Sequence, residues 1–195
     1  MNEREKNIIE NDVQPNSNVK NTKKEIYEWI QAIVSSLVVV IIVFSMVVRI
    51  IGVSGPSMKP TLNNQDKVVL WCAFYTPQRG DVVVLDPRAS SGYTDLFVKR
   101  IIAVGGDTIY IDPSLNQVFV NGKLIDEPYI LEEDYLIVDV SYPLTIPEGY
   151  VFVMGDNRNE SYDSRNSRVG LIDEREILGK VIFRIFPLNS IGAIK

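Results

Sequence analysis

The sequence predicts a mainly β protein. It has a single N-terminal transmembrane α-helix, followed by an antiparallel β-sheet or barrel-like domain that carries a smaller β insertion. Two patterns lead to this prediction. From Trp29 to Val48 the chain has no charged residue, which is typical of a membrane-spanning helix. Beyond this segment, short apolar runs alternate with turn residues at spacings of roughly 8–12 residues, which is typical of a sheet-rich fold.

The apolar segment reads WIQAIVSSLVVVIIVFSMVV and is bounded by Glu28 and Arg49. A helix needs about 20 mostly apolar residues to cross a hydrocarbon core about 30 Å thick, and this segment is long enough. A buried core helix is one alternative, but we find no second helix long enough to pack around it. A cleaved signal peptide is another, but the apolar region is too long and no small-x-small cleavage site follows it. We therefore predict an uncleaved anchor.

Domain boundaries follow from this anchor. Residues 1–22 are polar and lack apolar periodicity, so we expect a disordered tail there. Residues 23–51 form the anchor with its polar lead-in, and residues 52–195 form the outer domain. The excess of basic residues before the helix favours a cytoplasmic N-terminus in a cell membrane and an extracytoplasmic outer domain. The basic residues just before the helix are Lys20, Lys23 and Lys24.

Strand signals fill the outer domain. Asn121-Gly122 is the strongest hairpin signal, because both residues tolerate the positive φ of a tight hairpin turn. Residues 107–150 look like an insertion with its own hairpin, and a short helix is expected near Asp173–Leu178. The segments predicted as strands are KVVLWC, DVVVLDP, LFVKRIIAV, DTIYIDP, QVFVNGKLI, GYVFVMG and GKVIFRIFP.

Composition removes several classes of chemistry. The chain has no histidine, so Ser-His-Asp and Cys-His catalysis are excluded, as is the commonest metal ligand. Cys72 is the sole cysteine, so an intramolecular disulfide is impossible and a cysteine-based zinc site is not expected. The formal net charge of -5 gives no broad attraction to nucleic acid. We expect no metal, no cofactor and no nucleic-acid partner.

The segment GVSGPSMKPTL holds the first candidate for chemistry. Gly55 and Pro56 predict a tight turn directly before Ser57, and Pro60 closes the segment. A serine in such a turn can present its hydroxyl and its backbone N–H in one direction, which is the combination that acyl transfer requires. A Gly-Pro-Ser turn is more often purely structural, so this segment alone does not decide between the two interpretations.

The segment LFVKRIIAVGGD holds the second candidate. Strand alternation places Phe97, Lys99 and Ile101 on one face, which surrounds the lysine with apolar neighbours. Burial can lower the pKa of a lysine by about 3–5 units from about 10.4, which would make Lys99 a base for a serine hydroxyl. The alternative is a strand lysine whose stem lies on apolar surface while its amine reaches water.

The third segment, VMGDNRNESYDSR, is rich in charge and follows a predicted buried strand. Ser161 and Ser164 are hydroxyls that could orient a neutral lysine amine. The charged side chains Asp156, Arg158, Asp163 and Arg165 could pair with one another, and we interpret them as an ion-paired loop. The segment is not an EF-hand loop, because Arg158 occupies a ligand position and the required glycine is missing.

Together these segments resemble bacterial type I signal peptidases, also called leader peptidases. That family has a serine-methionine pair just after its membrane anchor, which matches Ser57-Met58. A Gly-Asp strand follows, which matches Gly80-Asp81-Val82-Val83-Val84. The lysine segment resembles VKRIIAVGGD, and the last block resembles GDNRNESYDSR. The resemblance spans roughly residues 52–187 and implies a membrane-bound serine endopeptidase with a Ser-Lys dyad.

The resemblance also implies roles for individual residues. Ser57 would be the nucleophile and Lys99 the general base. Ser161 matches the family serine that hydrogen-bonds the lysine. The residues implied to hold the site together are Asp163, Arg165, Arg100 and Asp156. Some members carry a serine two positions before the nucleophile as an oxyanion donor; here Gly55 stands there, so the oxyanion hole would rest mainly on the Ser57 backbone N–H.

The implied substrates are secreted preproteins whose signal peptides have small residues before the cut. An extended substrate would pair with the strand near Val53–Gly55 and fill shallow apolar pockets, so we expect substrate contacts at Val53, Gly55 and Met58. Membrane lipid is the other expected partner. An aromatic group of Trp71, Phe74 and Tyr75 can serve as an interfacial anchor or as ordinary core.

Two other classes, a different kind of Ser-Lys hydrolase and a non-enzymatic module, fit the pattern less well. In penicillin-binding proteins and class A β-lactamases the lysine follows the serine as Ser-x-x-Lys, whereas Pro60 stands at that position here. Self-cleaving repressors need a DNA-binding domain, which the short polar tail cannot supply. A non-enzymatic membrane-tethered β domain would not need both Ser57 and Lys99.

Overall fold

The computed structural model describes residues 17–88, 94–130 and 139–194. The chain divides into two compact units at the boundary between Ser45 and Met46. The first unit is helical. The second contains every strand that the structure describes, as well as the residues predicted to carry chemistry.

Helix α1 runs over Ser17–Val47 and accounts for the predicted anchor. From Thr22 to Val47 it is long and apolar enough to cross a membrane, and its most apolar window has no buried residue. The hydroxyls of Ser36 and Ser45 donate to carbonyls one turn earlier at 2.8 Å, so these polar groups are satisfied within the helix.

The helix boundaries differ from the predicted ones at both ends. Residues 17–22, predicted as part of the tail, belong to α1, and the rest of the predicted tail lies outside the described residues. At the other end, residues 48–51 were predicted as anchor but form strand β1. Their β-branched residues pair with a second strand, Lys67–Trp71, which ends the helix at Val47.

A large antiparallel sheet forms the body of the second unit. Its strand order is β1-β2-β11-β3-β4-β9-β10, and β12 pairs with β11. The mainly β fold predicted from the sequence is confirmed. The strands of this sheet are β1 (Val48–Gly52), β2 (Lys67–Trp71), β3 (Val82–Leu85), β4 (Phe97–Val104), β9 (Tyr150–Met154), β10 (Ile172–Asp173), β11 (Ile177–Phe186) and β12 (Gly192–Ala193).

A smaller four-stranded sheet lies within residues 107–150, where an insertion was predicted. Its order is β7-β6-β5-β8. The β6–β7 hairpin turns at Asn121 and Gly122, which have φ of 52° and 73°, as a tight hairpin turn requires. The strands are β5 (Thr108–Asp112), β6 (Gln117–Val120), β7 (Lys123–Leu124) and β8 (Leu144–Thr145).

The short helix expected near Asp173–Leu178 is a single 3-10 turn over Glu174–Glu176. The side chain of Asp173 caps it by accepting from Arg175 N–H. The turn stops at Ile177 because β11 begins there and pairs with β3. A second 3-10 turn covers Leu188–Ser190.

The topology decides which sequence segments meet. Strand β4 lies between β3 and β9, so the lysine segment is next to the strand that leads into the charged block 155–165. The Ser57 turn lies between β1 and β2. Its backbone contacts the charged block through a hydrogen bond from Asn157 N–H to the Ser57 carbonyl at 3.0 Å.

Candidate active site

Ser57 lies in a tight turn that the local sequence shapes. Gly55 has φ of +88°, which favours glycine because a Cβ is strained there. Its N–H donates to Asn64 Oδ1 at 3.1 Å. Lys59 N–H then donates to the Pro56 carbonyl at 3.0 Å, which closes a helical turn around the serine.

Lys99 lies in the middle of β4, opposite Val83 of β3. Its side chain is almost completely buried, and the residue is 4% exposed. Lys99 Nζ and Ser57 Oγ are hydrogen-bonded at 2.8 Å. The amine also lies 5.5 Å from the centre of the Phe97 ring. The structure therefore brings together the serine and the lysine that the sequence singled out, across 42 positions of the chain.

Burial lowers the pKa of Lys99 from its ordinary 10.5 to about 8, because a charged ammonium loses its hydration inside the protein. The carboxylate of Asp163 raises this pKa, the guanidinium of Arg165 lowers it, and the carboxylate of Asp156 raises it. Desolvation is the largest of these effects. The amine is therefore far closer to neutrality at physiological pH than a lysine in water.

Asp163 is a buried acceptor that organises the block after β9. It receives hydrogen bonds from Arg165 Nε at 2.8 Å, from Gly155 N–H at 2.9 Å and from Ser161 Oγ at 2.6 Å. Burial raises the pKa of Asp163, but these hydrogen bonds and the Arg165 charge hold it below its ordinary value. The Ser161 hydroxyl thus donates to Asp163, and its direct bond with Lys99 stays a prediction.

Arg100 and Asp156 form a second buried pair beside the first. Arg100 Nε and Nη2 donate to the two carboxylate oxygens of Asp156, both at 2.8 Å. Arg100 Nη1 donates to the Gly80 carbonyl at 2.7 Å. Thr61 Oγ1 donates to Asp156. The Arg100–Asp156 pair therefore links three parts of the chain. Arg100 belongs to β4 and contacts the segment before β3, and Asp156 contacts the Ser57 turn through Thr61.

The charged loop pairs within itself only in part. Asp163 and Arg165 pair with each other, as expected. Arg158 instead forms a buried ion pair with Glu127, which belongs to the inserted segment. Arg158 Nε also donates to the Gly155 carbonyl at 3.1 Å. The insertion is therefore tied directly to the block that carries Asp163.

A groove of about 450 Å³ opens beside Ser57 and Lys99. One side is lined by residues of the segment 51–57, all but Val53, and the other by residues 95–99. Glu160 and Tyr162 complete the lining. Two stretches of chain thus flank the serine and the lysine with space between them for an extended peptide.

The residues predicted to contact substrate lie in different places. Gly55 lines the groove. Val53 and Met58 are 5% and 1% exposed and belong to a core cluster with Leu62 and Val68. Their side chains pack beneath the Ser57 turn and stabilise it, so a direct substrate contact by either one stays a prediction.

Two residues of the site were not singled out from the sequence. Asn157 donates from its backbone N–H to the Ser57 carbonyl and from Nδ2 to the Pro56 carbonyl at 3.3 Å. Gly155 comes so close to the turn that a Cβ there would lie 2.4 Å from the Ser57 carbonyl oxygen. Both residues flank Asp156, but no local signal in the sequence shows that they contact a turn about a hundred residues earlier.

Comparison with known proteins shows which family the chain belongs to. The sequence pattern of the family described as "Signal peptidase, peptidase S26" matches residues 26–186. Signal peptidase I from Bacillus licheniformis is 34% identical over 181 residues, covering 88% of this chain and 94% of that protein. Signal peptidase I S from Bacillus subtilis (strain 168) is 37% identical over 180 residues, covering 86% of this chain and 93% of that protein.

Signal peptidase IB from Staphylococcus aureus (strain COL) is 37% identical over 186 residues, covering 86% of this chain and 93% of that protein. A solved structure of a signal peptidase I from Enterococcus faecalis V583 is similar with a TM-score of 0.45 and 26% identity, covering 56% of this chain and 99% of that chain. Because the family pattern and these relatives extend over most of the sequence, the chain belongs to the signal peptidase family, peptidase S26.

Proposed function

We propose that this protein is a membrane-anchored serine endopeptidase that removes signal peptides from exported preproteins, with Ser57 as nucleophile and Lys99 as general base. The observation that carries the assignment of these two residues is the 2.8 Å contact between Lys99 Nζ and Ser57 Oγ, made by an amine that is 4% exposed. Both the family and its relatives at 34% and 37% identity support the reaction.

The lowered pKa of Lys99 explains how an amine can serve as the base. At pH 8 a lysine with its ordinary pKa of 10.5 would be neutral in roughly 1 molecule in 300. With the pKa lowered to about 8, about half of the molecules hold a neutral amine at that pH. A base whose pKa lies near the working pH is the most effective in proton transfer.

The reaction proceeds in two stages. Ser57 Oγ attacks the scissile carbonyl while Lys99 takes the hydroxyl proton, and the carbonyl oxygen gains charge next to the Ser57 N–H. Lys99 then gives the proton to the leaving amine, which departs with the mature protein and leaves the signal peptide as an ester on Ser57. In the second stage a water molecule gives a proton to Lys99 and attacks the ester carbonyl. Lys99 then returns this proton to Ser57 Oγ as the C–O bond breaks, which releases the signal peptide with a free carboxyl group and restores the serine.

The four supporting residues act on this pair through position and charge. Asp163 and Arg165 place an ion pair near Lys99, and their charges act on the pKa of the amine in opposite directions. Arg100 and Asp156 fix β4 against the Ser57 turn through Thr61. These contacts hold the Ser57 and Lys99 side chains, which come from distant segments, within hydrogen-bond distance of each other. Holding reacting groups in place in this way lowers the entropic cost of the reaction.

The substrate is an extended peptide in the groove beside Ser57. The N–H and C=O of Val53 are already bonded to Asp66 and Gln65, so they face into the protein. In an extended chain, successive residues direct their N–H and C=O groups to opposite sides. Ser54 therefore presents its N–H and C=O to the groove. A peptide paired there alternates its side chains, and the narrow walls admit small ones next to the cut.

The anchor places the enzyme where its substrates are. The apolar segment of a signal peptide is long enough to enter the bilayer, so confining enzyme and substrate to one surface raises their effective concentration. Lys20, Lys23 and Lys24 precede the apolar part of the helix, which supports a cytoplasmic N-terminus and an extracytoplasmic catalytic domain.

Two aromatic side chains are available as interfacial contacts. Phe74 is fully exposed and Trp71 is 41% exposed, whereas Tyr75 uses its hydroxyl to donate to Asp81 at 2.7 Å. Trp71 pairs with Val48, which directly follows the last residue of the apolar helix. We therefore place Trp71 and Phe74, but not Tyr75, at the level of the lipid headgroups.

The nucleophile is tested with Ser57→Ala in the full-length chain, using a preprotein in membranes and mass mapping of the products. We expect no cut at the site that the unmodified enzyme uses. Ser114→Ala is the control, because this serine lies in a turn of the insertion and bonds to Asp112. A cut at the same site by the Ser57→Ala protein would refute the assignment of the nucleophile.

The base is tested with Lys99→Arg. We expect complete loss of cleavage, because an arginine side chain keeps its proton inside proteins. Lys123→Arg, on the exposed strand β7, is the matched control and should retain activity. Cleavage that survives the Lys99→Arg change would mean that another group accepts the serine proton.

A further inference from the structure

Asn157 contacts both peptide groups that flank Ser57, and this points to a part in catalysis. Its backbone N–H donates to the Ser57 carbonyl at 3.0 Å, and its side-chain Nδ2 donates to the Pro56 carbonyl at 3.3 Å. We propose that Asn157 is a positioning residue that aims the Ser57 N–H at the oxyanion. This inference rests on the proposed function, since it concerns the same nucleophile.

The argument begins with the geometry of one peptide group. The Pro56 carbonyl and the Ser57 N–H belong to the same planar unit, and in a trans peptide they point in opposite directions. Two donors hold the carbonyl, Lys59 N–H at 3.0 Å and Asn157 Nδ2 at 3.3 Å. Fixing the carbonyl toward the Asn157 side chain therefore turns the Ser57 N–H away from Asn157, and Ser57 itself lines the groove.

The hydrogen-bond partners of the Asn157 side chain decide which way its amide group is oriented. The other hydrogen of Nδ2 is directed at Glu160 Oε2, also at 3.3 Å. Both neighbours, the Pro56 carbonyl and the Glu160 carboxylate, are acceptors, so the nitrogen and not the oxygen must face them. Asn157 is 6% exposed, which limits competition from water for these bonds. Glu160 thus keeps the donor of Asn157 turned toward the Ser57 turn.

The Ser57 N–H is the backbone donor that is available at the nucleophile itself. Gly55 N–H is bonded to Asn64 Oδ1, and Pro56 has no N–H. Ser57 N–H has no acceptor among the residues that the structure describes, although Ser57 lines the groove. Since Gly55 also lacks a hydroxyl, the oxyanion depends on this one N–H, and its direction matters more than in a site with a second donor.

Substitution of Asn157 should therefore affect the transition state more than the ground state. Removal of a whole oxyanion donor typically lowers kcat by 10²–10³. In Asn157→Leu the donor is kept but freed to turn, so we expect kcat to fall by about 10–100-fold. KM should change by less than about threefold, because Asn157 does not line the groove.

The decisive measurement compares two inhibitors of identical peptide sequence. A peptide aldehyde adds to Ser57 Oγ and places its former carbonyl oxygen in the oxyanion site, whereas the peptide alcohol binds without forming that bond. For Asn157→Leu and for Asn157→Asp, which keeps the shape but loses the donor, we expect the aldehyde affinity to fall in step with kcat. The alcohol affinity should stay within about threefold.

Asn189→Leu, at an exposed position of a 3-10 turn, is the matched control for both inhibitors. Equal loss of aldehyde and alcohol affinity, or an unchanged kcat in a folded Asn157 variant, would overturn the inference. Ser57→Ala, measured alongside, distinguishes a failure of the proposed function from a failure of the inference about Asn157. If Ser57→Ala still cleaves, the proposed function fails; if it is inactive while Asn157→Leu retains full kcat, only the role of Asn157 fails.

Discussion

At the scale of single residues, the central feature is a buried lysine amine that has no carboxylate in direct contact among the residues that the structure describes. Lys99 is 4% exposed, and the hydrogen bond that the structure shows for its amine goes to Ser57 Oγ. Asp163 instead pairs with Arg165, whose Nε donates a hydrogen bond to Asp163 Oδ1 at 2.8 Å. A direct ion pair would have stabilised the ammonium and raised its pKa. Burial of this lysine therefore costs stability and leaves an amine with a pKa of about 8.

The first prediction concerns the stability cost of Lys99. The folded pKa of about 8 lies below the ordinary 10.5, so the folded state binds the proton more weakly than the unfolded state. This penalty is fully present below pH 8, where it amounts to about 3 kcal/mol, and it disappears as the pH rises toward 10.5. Lys99→Met removes it but also loses the hydrogen bond with Ser57, worth about 1 kcal/mol.

We therefore expect Lys99→Met to be inactive and about 2 kcal/mol more stable than the unmodified protein at pH 7. The gain shrinks as the pH rises above about 8, and near pH 10.5 the missing hydrogen bond leaves the variant less stable than the unmodified protein. Denaturant unfolding at several pH values measures this. Lys123→Met, on exposed strand β7, should show no such dependence. A Lys99→Met protein that is less stable at pH 7 would contradict a buried, destabilised amine.

The second prediction concerns the pH dependence of catalysis. With the pKa of Lys99 lowered to about 8, kcat/KM should rise about tenfold per pH unit below pH 8 and level off above it. The pKa of Asp163 lies below its ordinary value, so that carboxylate stays ionised across the whole range. Cleavage rates of a peptide at low concentration measure the profile. A midpoint near 10.5 would show an amine that is not desolvated.

At the scale of elements, the site depends on how closely the end of β9 approaches the Ser57 turn. Gly155 follows the last residue of β9, and its backbone bonds to Asp163 while its Cα faces the Ser57 carbonyl. Ser161 closes the other side of this contact, since its Oγ would lie 2.2 Å from a Cβ at position 155. Strand, turn and loop meet with no room for a side chain.

The third prediction follows from this close packing. In Gly155→Ala the added Cβ would lie 2.4 Å from the Ser57 carbonyl oxygen, so the backbone of the turn has to move. A misplacement of about 1 Å can cost about 100-fold in rate, so we expect kcat to fall by about that factor. Thermal unfolding should show a loss of about 1–3 kcal/mol.

Gly192→Ala is the matched control, because a Cβ there meets nothing within 4 Å and the backbone is not in the left-handed region. It should behave like the unmodified protein in both measurements. Full activity of Gly155→Ala would show that the turn has more freedom than this packing allows.

A second contact between elements joins the insertion to the charged block 155–165. Glu127 of the insertion forms a buried ion pair with Arg158 of the block. In addition, the ring of Tyr129 lies 3.9 Å from the Arg100 guanidinium. Arg158 holds the Gly155 carbonyl, so the insertion supports the residue that packs against the nucleophile turn. The segment after β7 therefore stabilises the site, whereas the strands of the small sheet supply none of the residues that line the groove.

The fourth prediction is that Glu127→Gln destabilises the protein by about 3–5 kcal/mol, because it leaves the Arg158 guanidinium buried without a counter-charge. Combining Glu127→Gln with Arg158→Met should cost less than the sum of the single changes, since the uncompensated charge is gone. Arg175→Met removes an exposed pair with Asp173 and should leave the free energy of unfolding nearly unchanged, because water screens the two charges. Additive losses in the double variant would argue against a coupled pair.

At the scale of the whole molecule, the chain joins an apolar helix to a β domain with its own cores. The division lies between Ser45 and Met46, and the second unit holds the site and the groove. The helix contributes no residue to the groove. Under the proposed function, the contribution of the helix is confinement to the membrane.

The fifth prediction tests this division. A chain that begins at Met46 should cleave a short soluble peptide within about twofold of the full-length rate. Its rate on a preprotein held in vesicles should fall on the order of 100-fold, because the effective concentration provided by the anchor is lost. Equal losses on both substrates would mean that the helix also supports the catalytic domain itself.

The sequence by itself determined the features that depend on local pattern. The apolar segment predicted the helix because membrane spanning depends on composition and length, and alternation with turn residues predicted the strand segments. The hairpin at Asn121-Gly122 followed from the backbone preferences of two residues. Ser57 and Lys99 were identified as candidates through their turn and strand neighbours and through the resemblance to a family.

Only the tertiary structure decided which distant residues meet. The strand order places β4 between β3 and β9, which brings Lys99 to Ser57, and it joins Glu127 to Arg158 and Asn157 to the Pro56 carbonyl. No local pattern encodes these contacts, because each depends on the register of strands far apart in the chain. The same holds for burial, which turns Lys99 from an ordinary ammonium into an amine with a pKa of about 8.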